Sequence, residues 1–203
     1  LNILLTEFKR PFTRDWLLPS GRLREWRAGY RRADIIVVTK CPPDLTMAQR
    51  RKLTQEIDPF PRQRVYFSRY RYGLPYDMLR PDVRRPLDAT TDVLLLSAIA
   101  NTDYLLDYMA ATVHSAKTME YEDHHHYDLA DLVDVQRRFE AMPSGNKIIL
   151  TTEKDAARLE LNHSFFFENN LPIFVLPVEV TFCDNDEAEF QADVREFLLN
   201  FKV

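Results

Sequence analysis

Residues 122–128 hold the densest group of chemically active side chains in this 203-residue chain. Three consecutive histidines, His124 to His126, follow Glu122 and Asp123, and Asp128 comes after them. Such side chains could ligate a metal ion or move a proton. Neighbouring side chains diverge by about 100° in a helix and point to opposite faces of a strand, so three consecutive histidines converge poorly on one metal. The spacing therefore disfavours a metal site.

A loop in which an acidic neighbour holds one histidine fits the run better. The carboxylate of Glu122 or Asp123 could fix the tautomer of His124 and raise its basicity. That is the arrangement of a general base or of its supporting partner. A solvent-facing polar turn is the alternative, and the spacing does not choose between them.

Arginines alternate with aromatic residues over residues 10–32. This mixture suits a phosphorylated ligand, a membrane interface or single-stranded nucleic acid. Arg24 and Glu25 lie near the expected start of a helix, where phosphate binding is favourable, and arginine binds phosphate through two donors. A solvated amphipathic helix would show the same pattern.

The segment ILTTEKDAARL, residues 149–159, runs from a strand into a helix. Ligands of parallel sheets usually bind at such carboxyl ends, which makes Lys154 and Asp155 candidates. Thr152 and Asp155 also fit a capping box that only starts the helix. The sequence contains no GxxxxGK[ST], GxGxxG, GxSxG or HExxH motif, so a cradle for nucleotide phosphates is not expected within these residues.

Charge is unevenly distributed. The first 86 residues hold 19 Lys and Arg against 9 Asp and Glu, whereas the remainder hold 8 against 22. A basic half in a chain of net charge −4 indicates an anionic partner such as a nucleotide, a phospholipid surface or nucleic acid. Two complementary faces packed on each other are the alternative. The two cysteines suit reduced, packed thiols, and one disulfide is also possible.

Alternating buried strands and helices predict an α/β fold, a mostly parallel sheet with helices on both faces. Strands are expected at 2–8, 34–40, 64–70, 92–99, 147–153 and 173–180. Helices are expected at 21–33, 46–57, 101–112, 128–142, 153–161 and 186–201, with Thr46 as an N-cap.

The stretch 72–92 interrupts this alternation with three prolines and turn residues. We expect a first lobe at 1–72, a two-strand or proline-rich linker at 73–91, and a smaller α/β domain at 92–203. The chain opens without methionine on the strand-like LNILLTEF, from which we expect a further segment to precede Leu1.

Five motifs resemble, in order, those of the tetraacyldisaccharide 4′-kinase family of lipid A biosynthesis. They are LLPSGRLREW (17–26), RADIIVVTK (32–40), SAIANTDYLLDYM (97–109), YEDHHHYDLADL (121–132) and TTEKDAARL (151–159). Together they span almost the whole chain, which makes the resemblance far more specific than any one motif.

The resemblance implies a truncated P-loop-kinase-like fold and ATP-dependent phosphorylation of the 4′-hydroxyl of tetraacyldisaccharide 1-phosphate. The implied partners are this lipid A precursor and the cytoplasmic face of the inner membrane of a Gram-negative bacterium, not nucleic acid. The implied cofactors are ATP and Mg²⁺, held mainly by the expected preceding segment. The 203 residues alone are therefore expected to be inactive.

The resemblance also implies roles for particular residues. His124 would be the catalytic base, paired with an aspartate that precedes Leu1, and Asp123 would orient it. Arg24 and Glu25 would bind substrate phosphate, and Lys40, Lys154 and Asp155 are further candidates. Between the first two histidines of the run, His124 is preferred and His125 is expected to shape the loop.

Two other functions agree with parts of the sequence. A metal-dependent phosphoesterase with an Asp-His-His signature would explain the histidine run, but it needs further aspartates around two metals. A non-catalytic domain that binds anions or membranes would explain the basic half.

Overall fold

The computed structural model describes residues 1–99, 102–123 and 125–200, which form two compact units. Unit 1 comprises Leu1–Arg71 and the segment from Val180 onward, and unit 2 comprises Tyr72–Glu179. The strands are β1 (Ile3–Glu7), β2 (Ile35–Thr39), β3 (Arg64–Tyr72), β4 (Tyr76–Asp77), β5 (Asp92–Ser97), β6 (Ser115–Glu120), β7 (Lys147–Thr152), β8 (Ile173–Leu176) and β9 (Val178–Phe182). The helices are α1 (Met47–Ile57), α2 (Asp103–Thr112), α3 (Leu129–Glu140), α4 (Glu153–Leu159), α5 (His163–Glu168) and α6 (Asp186–Asn200).

Unit 1 is built on a sheet of strand order β1-β2-β3-β9, in which β2 runs parallel to β1 and β3. Residues 35–38 of β2 are all buried, as expected for a strand covered on both faces. Ile36 and Val38 share a core with Leu53 and Ile57 of α1. The alternate residues of β2 pack with Phe190 and Val194 of α6, so helices cover both faces.

Two polar contacts hold these helices in place. Thr46 caps α1 as predicted: its hydroxyl accepts from the backbone N–H of Gln49 at 3.2 Å, and the Gln49 side chain accepts in return. Asp186, at the start of α6, accepts from Arg50 and from the backbone N–H of Phe67, both at 2.7 Å. The second contact ties α6 to α1 and to β3.

Unit 2 is built on a sheet of strand order β4-β8-β7-β5-β6, parallel except for β4. Leu94 and Leu96 of β5 pack towards α3 and α4. Val93 and Leu95 pack towards α2. The predicted α/β class, a mainly parallel sheet with helices on both faces, is therefore confirmed.

The predicted helix at 21–33 is wrong. Only Arg27–Arg32 is helical, as a 3₁₀ helix, and residues 15–26, called the tryptophan loop below, form an irregular loop closed by a parallel bridge between Leu17 and Leu23. The Leu18 N–H donates to the Leu23 carbonyl at 3.0 Å, and the Leu23 N–H donates to the Trp16 carbonyl at 2.9 Å. These cross-loop hydrogen bonds replace the helical ones.

The structure divides the chain differently from the predicted 1–72, 73–91 and 92–203. The expected linker 73–91 belongs to unit 2, because β4 adds an antiparallel edge strand to β8. The C-terminal segment belongs to unit 1, because α6 packs on β2. Pro177 separates β8 from β9, where one strand was predicted. Strand β6 and helix α5 were not predicted.

Two further features bear on the class of protein to which the chain belongs. Cys41 and Cys183 are both buried free thiols, as the reduced-thiol interpretation predicted. Over the described ranges, no helix has the combined length and hydropathy that crossing a bilayer requires.

Candidate functional site

The parallel strands of unit 2 bring their carboxyl ends to one edge of the sheet, where ligands of such folds bind. The loops that follow β5 and β6 and the first turn of α4 lie at this edge. The Tyr121 N–H donates to the Ser97 carbonyl at 2.9 Å, and the Thr102 hydroxyl donates to Glu120 at 2.8 Å. The two loops are thus fastened to each other.

Asp155 is the fully buried carboxylate of this edge. It accepts from the Ala98 N–H at 3.1 Å and the Thr152 hydroxyl at 2.8 Å, and it pairs with Arg158 at 3.0 Å. Thr152 caps α4 by accepting from the Asp155 N–H. The carboxylate therefore joins the loop after β5 to α4 rather than closing the predicted capping box.

Asp123 and Lys154 meet across the same edge. The Lys154 Nζ lies 3.5 Å from Asp123 Oδ1, and both side chains are partly exposed. The pair connects the loop after β6 to the first turn of α4. His124, the predicted base, lies outside the described residues.

His125 is held by a carboxylate that the sequence did not single out. Its Nε2 lies 2.7 Å from Oδ2 of Asp131, which also closes the capping box of α3 with Asp128. The His125 ring stacks on Tyr121, with 4.5 Å between centroids, and meets Tyr127 edge-on. The histidine is thereby built into the start of α3.

Two buried hydroxyls at this edge have no hydrogen-bond partner among the described residues, namely those of Ser97 and Tyr127. Burial raises the pKa of Tyr127 well above its usual range, and the charge of Asp155 adds to the shift. Burial also raises the pKa of Tyr121 to about 12, with Asp131 contributing. Both phenols are therefore neutral hydrogen-bond donors at physiological pH.

Unit 1 has its own cleft, of about 510 Å³, at the carboxyl ends of β1, β2 and β3. Its lining includes four cationic side chains, Arg10, Arg22, Lys40 and Arg69. Ser68 also lines the cleft, and its buried hydroxyl has no partner in the described part of the chain. Clustered cations with a free hydroxyl are suited to bind phosphate oxygens.

Lys40 occupies a special position in this cleft. It follows β2 directly and has a φ of 57°, which is uncommon outside glycine. Its ammonium group forms an ion pair with Glu7, the last residue of β1. Asp58, Asn170 and Asp184 also have positive φ, so the role of Lys40 stays a prediction that rests on its place in the cleft.

Arg24 and Glu25 lie outside the residues that line the cleft. Both are exposed, and Glu25 forms an ion pair with Arg32 at 2.6 Å. The expectation that they mark a helix start is wrong, because the 3₁₀ helix begins at Arg27.

Sequence patterns missed most residues of the two edges. Glu7 ends β1, and Ser68 and Arg69 lie near the carboxyl end of β3, so strand position alone could have pointed to them. The roles of Tyr127 and Ser97 had no sequence signal, because only burial reveals an unpartnered hydroxyl. No cluster of three or more His, Cys, Asp or Glu that could hold a metal occurs among residues 1–99, 102–123 and 125–200.

A family model described as tetraacyldisaccharide-1-P 4′-kinase matches residues 1–198. The chain belongs to the tetraacyldisaccharide 4′-kinase family. Proteins named tetraacyldisaccharide 4′-kinase share 35% identity with it in Bacteroides thetaiotaomicron and 38% in Parabacteroides distasonis. The alignments cover 96% and 94% of this chain, and 54% and 53% of those proteins. The chain thus spans about half the length of the curated relatives it matches.

The fold of this family member is also similar to a solved structure. The "apo" form of LpxK from Aquifex aeolicus in complex with ATP matches with a TM-score of 0.50 and 20% identity. The match covers 95% of this chain and 51% of that protein. At this identity the likeness establishes the fold.

Proposed function

We propose that this family member takes part in ATP-dependent phosphorylation of the 4′-hydroxyl of tetraacyldisaccharide 1-phosphate, in lipid A biosynthesis. The observation that carries the proposal is the family match over residues 1–198. The activity is that named for the relatives in Bacteroides and Parabacteroides.

The cleft of unit 1 supports binding of a phosphorylated substrate. Arg10, Arg22, Lys40 and Arg69 supply positive charge at the carboxyl edge of the sheet, and phosphoryl transfer depends mainly on positioning and charge neutralisation. The unpartnered hydroxyl of Ser68 adds a neutral donor. Arg24, exposed on the tryptophan loop, is proposed to contact substrate phosphate from outside the cleft, and Glu25 beside it is proposed to contact hydroxyl groups of the same substrate.

The edge of unit 2 supports the proton transfer. We propose that His124 accepts the proton of the attacking hydroxyl, and that Asp123 positions its imidazole while Lys154 holds Asp123. Asp155 and Arg158 keep the loop after β5 against α4, so that the edge is rigid. A positioned base contributes about 10²–10⁴-fold to a rate.

ATP and Mg²⁺ belong to the same proposal. Mg²⁺ is usually bound by one or two carboxylates together with substrate phosphates and water, and Glu7 in the cleft would supply one such ligand if it exchanged Lys40 for the ion. When bound, the ion would neutralise charge on the phosphoryl group. The proposed location is the cytoplasmic face of the bacterial inner membrane, where the lipid precursor would be met.

The proposal is tested with the polypeptide as its cell makes it, using γ-labelled ATP and tetraacyldisaccharide 1-phosphate in detergent micelles. The expected result is a labelled 1,4′-bisphosphate. His124→Ala should lower kcat at least about a hundredfold with little change in KM. His126→Ala is the matched control, because His126 is an exposed neighbour in the same loop and should retain activity.

Two results would contradict these assignments. Absence of labelled lipid from a folded polypeptide would refute the kinase activity and favour a binding domain. An unchanged kcat in His124→Ala would refute the base while leaving the activity intact.

A further inference from the structure

Both tryptophans of the chain lie on one surface hollow of unit 1. Trp16 and Trp26 line an apolar hollow of about 540 Å³, together with Leu18. The exposed fractions of these side chains are 66%, 76% and 62%. Large apolar groups clustered at a surface mark a site that another apolar phase covers.

The tryptophan loop holds these side chains outward through a buried carboxylate. Asp15 accepts from the Trp16 N–H at 2.8 Å, the Arg22 N–H at 3.2 Å and the Arg10 guanidinium at 2.8 Å. Gly21 is packed so closely that a Cβ would lie 2.2 Å from the Trp16 carbonyl. The backbone that carries Trp16 and Leu18 is therefore held by the fold before any ligand arrives.

Positive charge surrounds the same loop. Residues 10–32 contain seven arginines and two acids. Three of the arginines pair with carboxylates, namely Arg10, Arg14 and Arg32. The other four, Arg22, Arg24, Arg27 and Arg31, form no ion pair with any carboxylate in the described part of the chain. Their charge is available to an anionic partner.

We propose that the tryptophan loop is a bilayer-contact surface that inserts Trp16, Leu18 and Trp26 into the interface of an anionic phospholipid membrane. Tryptophan favours the membrane–water boundary, where its ring is apolar and its N–H stays hydrated. Arginines beside such rings are drawn to anionic headgroups. The combination of aromatic residues and unpaired cations is that of interfacial anchors.

The tryptophan loop lies beside the cationic cleft, so a bilayer contact at the loop would help a lipid substrate to reach the cleft. Asp15 and Leu23 line both the hollow and the cationic cleft, so a bilayer at the loop would present headgroups next to the cleft. This use rests on the proposed function, since it concerns how a lipid substrate reaches the cleft. The binding itself follows from the exposed rings and charges alone.

Phe167 provides a comparison in which exposure is not accompanied by positive charge. Phe167 in unit 2 is equally exposed, at 71%, but Glu168 follows it and no arginine or lysine lies within eight residues on either side. An apolar residue in that setting has no attraction for anionic lipid, so Phe167 is a matched control for exposure without charge.

Intrinsic fluorescence can report insertion of the loop, because Trp16 and Trp26 are the only tryptophans of the chain. Trp16→Phe leaves Trp26 as the sole reporter, and Trp26→Phe leaves Trp16. Each variant is mixed with vesicles of phosphatidylcholine, with or without phosphatidylglycerol, and with vesicles whose acyl chains carry bromine. The expected result is a blue-shifted emission quenched by bromine, with binding about tenfold weaker on neutral vesicles.

A second arm measures co-sedimentation with the anionic vesicles. Replacing both tryptophans with serine should weaken binding at least about tenfold, whereas Phe167→Ser should not change it. Circular dichroism checks that every variant is folded. A folded chain whose two tryptophans stay unshifted and unquenched would overturn the proposal, as would equal loss of binding in Phe167→Ser.

This test is independent of catalysis. Phosphorylation is measured in detergent micelles without a bilayer, so its failure would not alter vesicle binding. A parent protein that phosphorylates the lipid in micelles but does not bind anionic vesicles would overturn only the bilayer contact.

Discussion

At the scale of single residues, Asp155 was predicted as a candidate site residue, and its contacts make it a structural one as well. The carboxylate is fully buried and faces Arg158, which is 17% exposed. Asp155→Asn removes the negative charge that faces this guanidinium and weakens the hydrogen bonds from the Ala98 N–H and the Thr152 hydroxyl. We expect the free energy of unfolding to fall by about 2–4 kcal/mol, measured by urea denaturation.

Asp134→Asn provides the comparison, because Asp134 also pairs with arginines on its own helix but Arg137 and Arg138 are largely exposed. Exposed pairs contribute little, so this variant should unfold almost as the parent does. An equal decrease in the free energy of unfolding in the two variants would show that the burial of Asp155 does not contribute to stability.

Asp15 makes the stability of the tryptophan loop depend on pH. Hydrogen bonding from Arg10 lowers the pKa of this carboxyl, and the N–H groups of Trp16 and Arg22 add to the shift. Because this pKa is lower in the folded state, the ionised carboxylate stabilises the folded state at pH values above the unfolded-state pKa of about 3.9. This stabilisation is lost as the pH falls from the unfolded-state pKa through the lower folded-state pKa.

Asp15→Asn should therefore be less stable than the parent at neutral pH, and the difference should shrink under acid conditions. The measurement is the urea midpoint of both proteins across a pH series. A difference that stays constant from neutral to acid pH would show that the Asp15 charge does not contribute.

At the scale of elements, Gly21 decides the shape of the tryptophan loop. An added methyl group would lie 2.2 Å from the Trp16 carbonyl and 2.5 Å from the Asp15 carboxylate, so the loop must open to accept it. Gly21→Ala should lower the free energy of unfolding by about 2–3 kcal/mol. Gly145→Ala has nothing within 4 Å and should stay within about 0.5 kcal/mol of the parent. Similar unfolding midpoints for the two variants would contradict this reading of the loop.

Buried strands were the elements that the sequence predicted best. Strands β2, β5 and β7 are continuous apolar runs because both of their faces are covered, and their pattern is unambiguous. Strand β6 escaped prediction because only Met119 among its residues is buried, so its pairing with β5 leaves no apolar signature. The false helix at 21–33 arose because Leu23, Trp26 and Tyr30 have helical spacing, while cross-loop hydrogen bonds determine the actual shape.

The candidate site was predictable only where a side chain belongs to a motif. Lys40, Asp123, Lys154 and Asp155 stand in motifs beside strand ends, and the structure places them there. The arginines that line the cleft come from the loop after β1 and from β3 itself, which are distant in sequence. Their convergence depends on strand order, which local patterns do not contain.

At the scale of the whole molecule, two compact units predict two unfolding transitions. Asp155 lies in unit 2 and Gly21 in unit 1. In calorimetry, Asp155→Asn should lower the midpoint of one transition and Gly21→Ala that of the other, each by several degrees as about 2 kcal/mol implies for domains of this size. A single transition that both variants shift equally would show that the units unfold together.

The two cysteines give an independent measure of unit 1, in which both lie. Burial raises the pKa of the Cys41 thiol to about 12, and it raises that of Cys183 too. Neutral, buried thiols react slowly, so thiol labelling at neutral pH should proceed only as unit 1 opens. Gly21→Ala should speed labelling, and Asp155→Asn should not. Rapid labelling of the native parent would contradict the burial.

The membership of α6 in unit 1 has a consequence for synthesis on the ribosome. The Ile35 and Val37 face of β2 is covered by α6, which is synthesised after unit 2. All of unit 2 is translated in between, which takes on the order of ten seconds at about 5–20 residues per second. During that interval unit 2 can complete its fold, whereas unit 1 must keep an uncovered apolar sheet face. Strands β1 to β3 therefore remain a client for chaperones during that interval, although they emerge from the ribosome before unit 2.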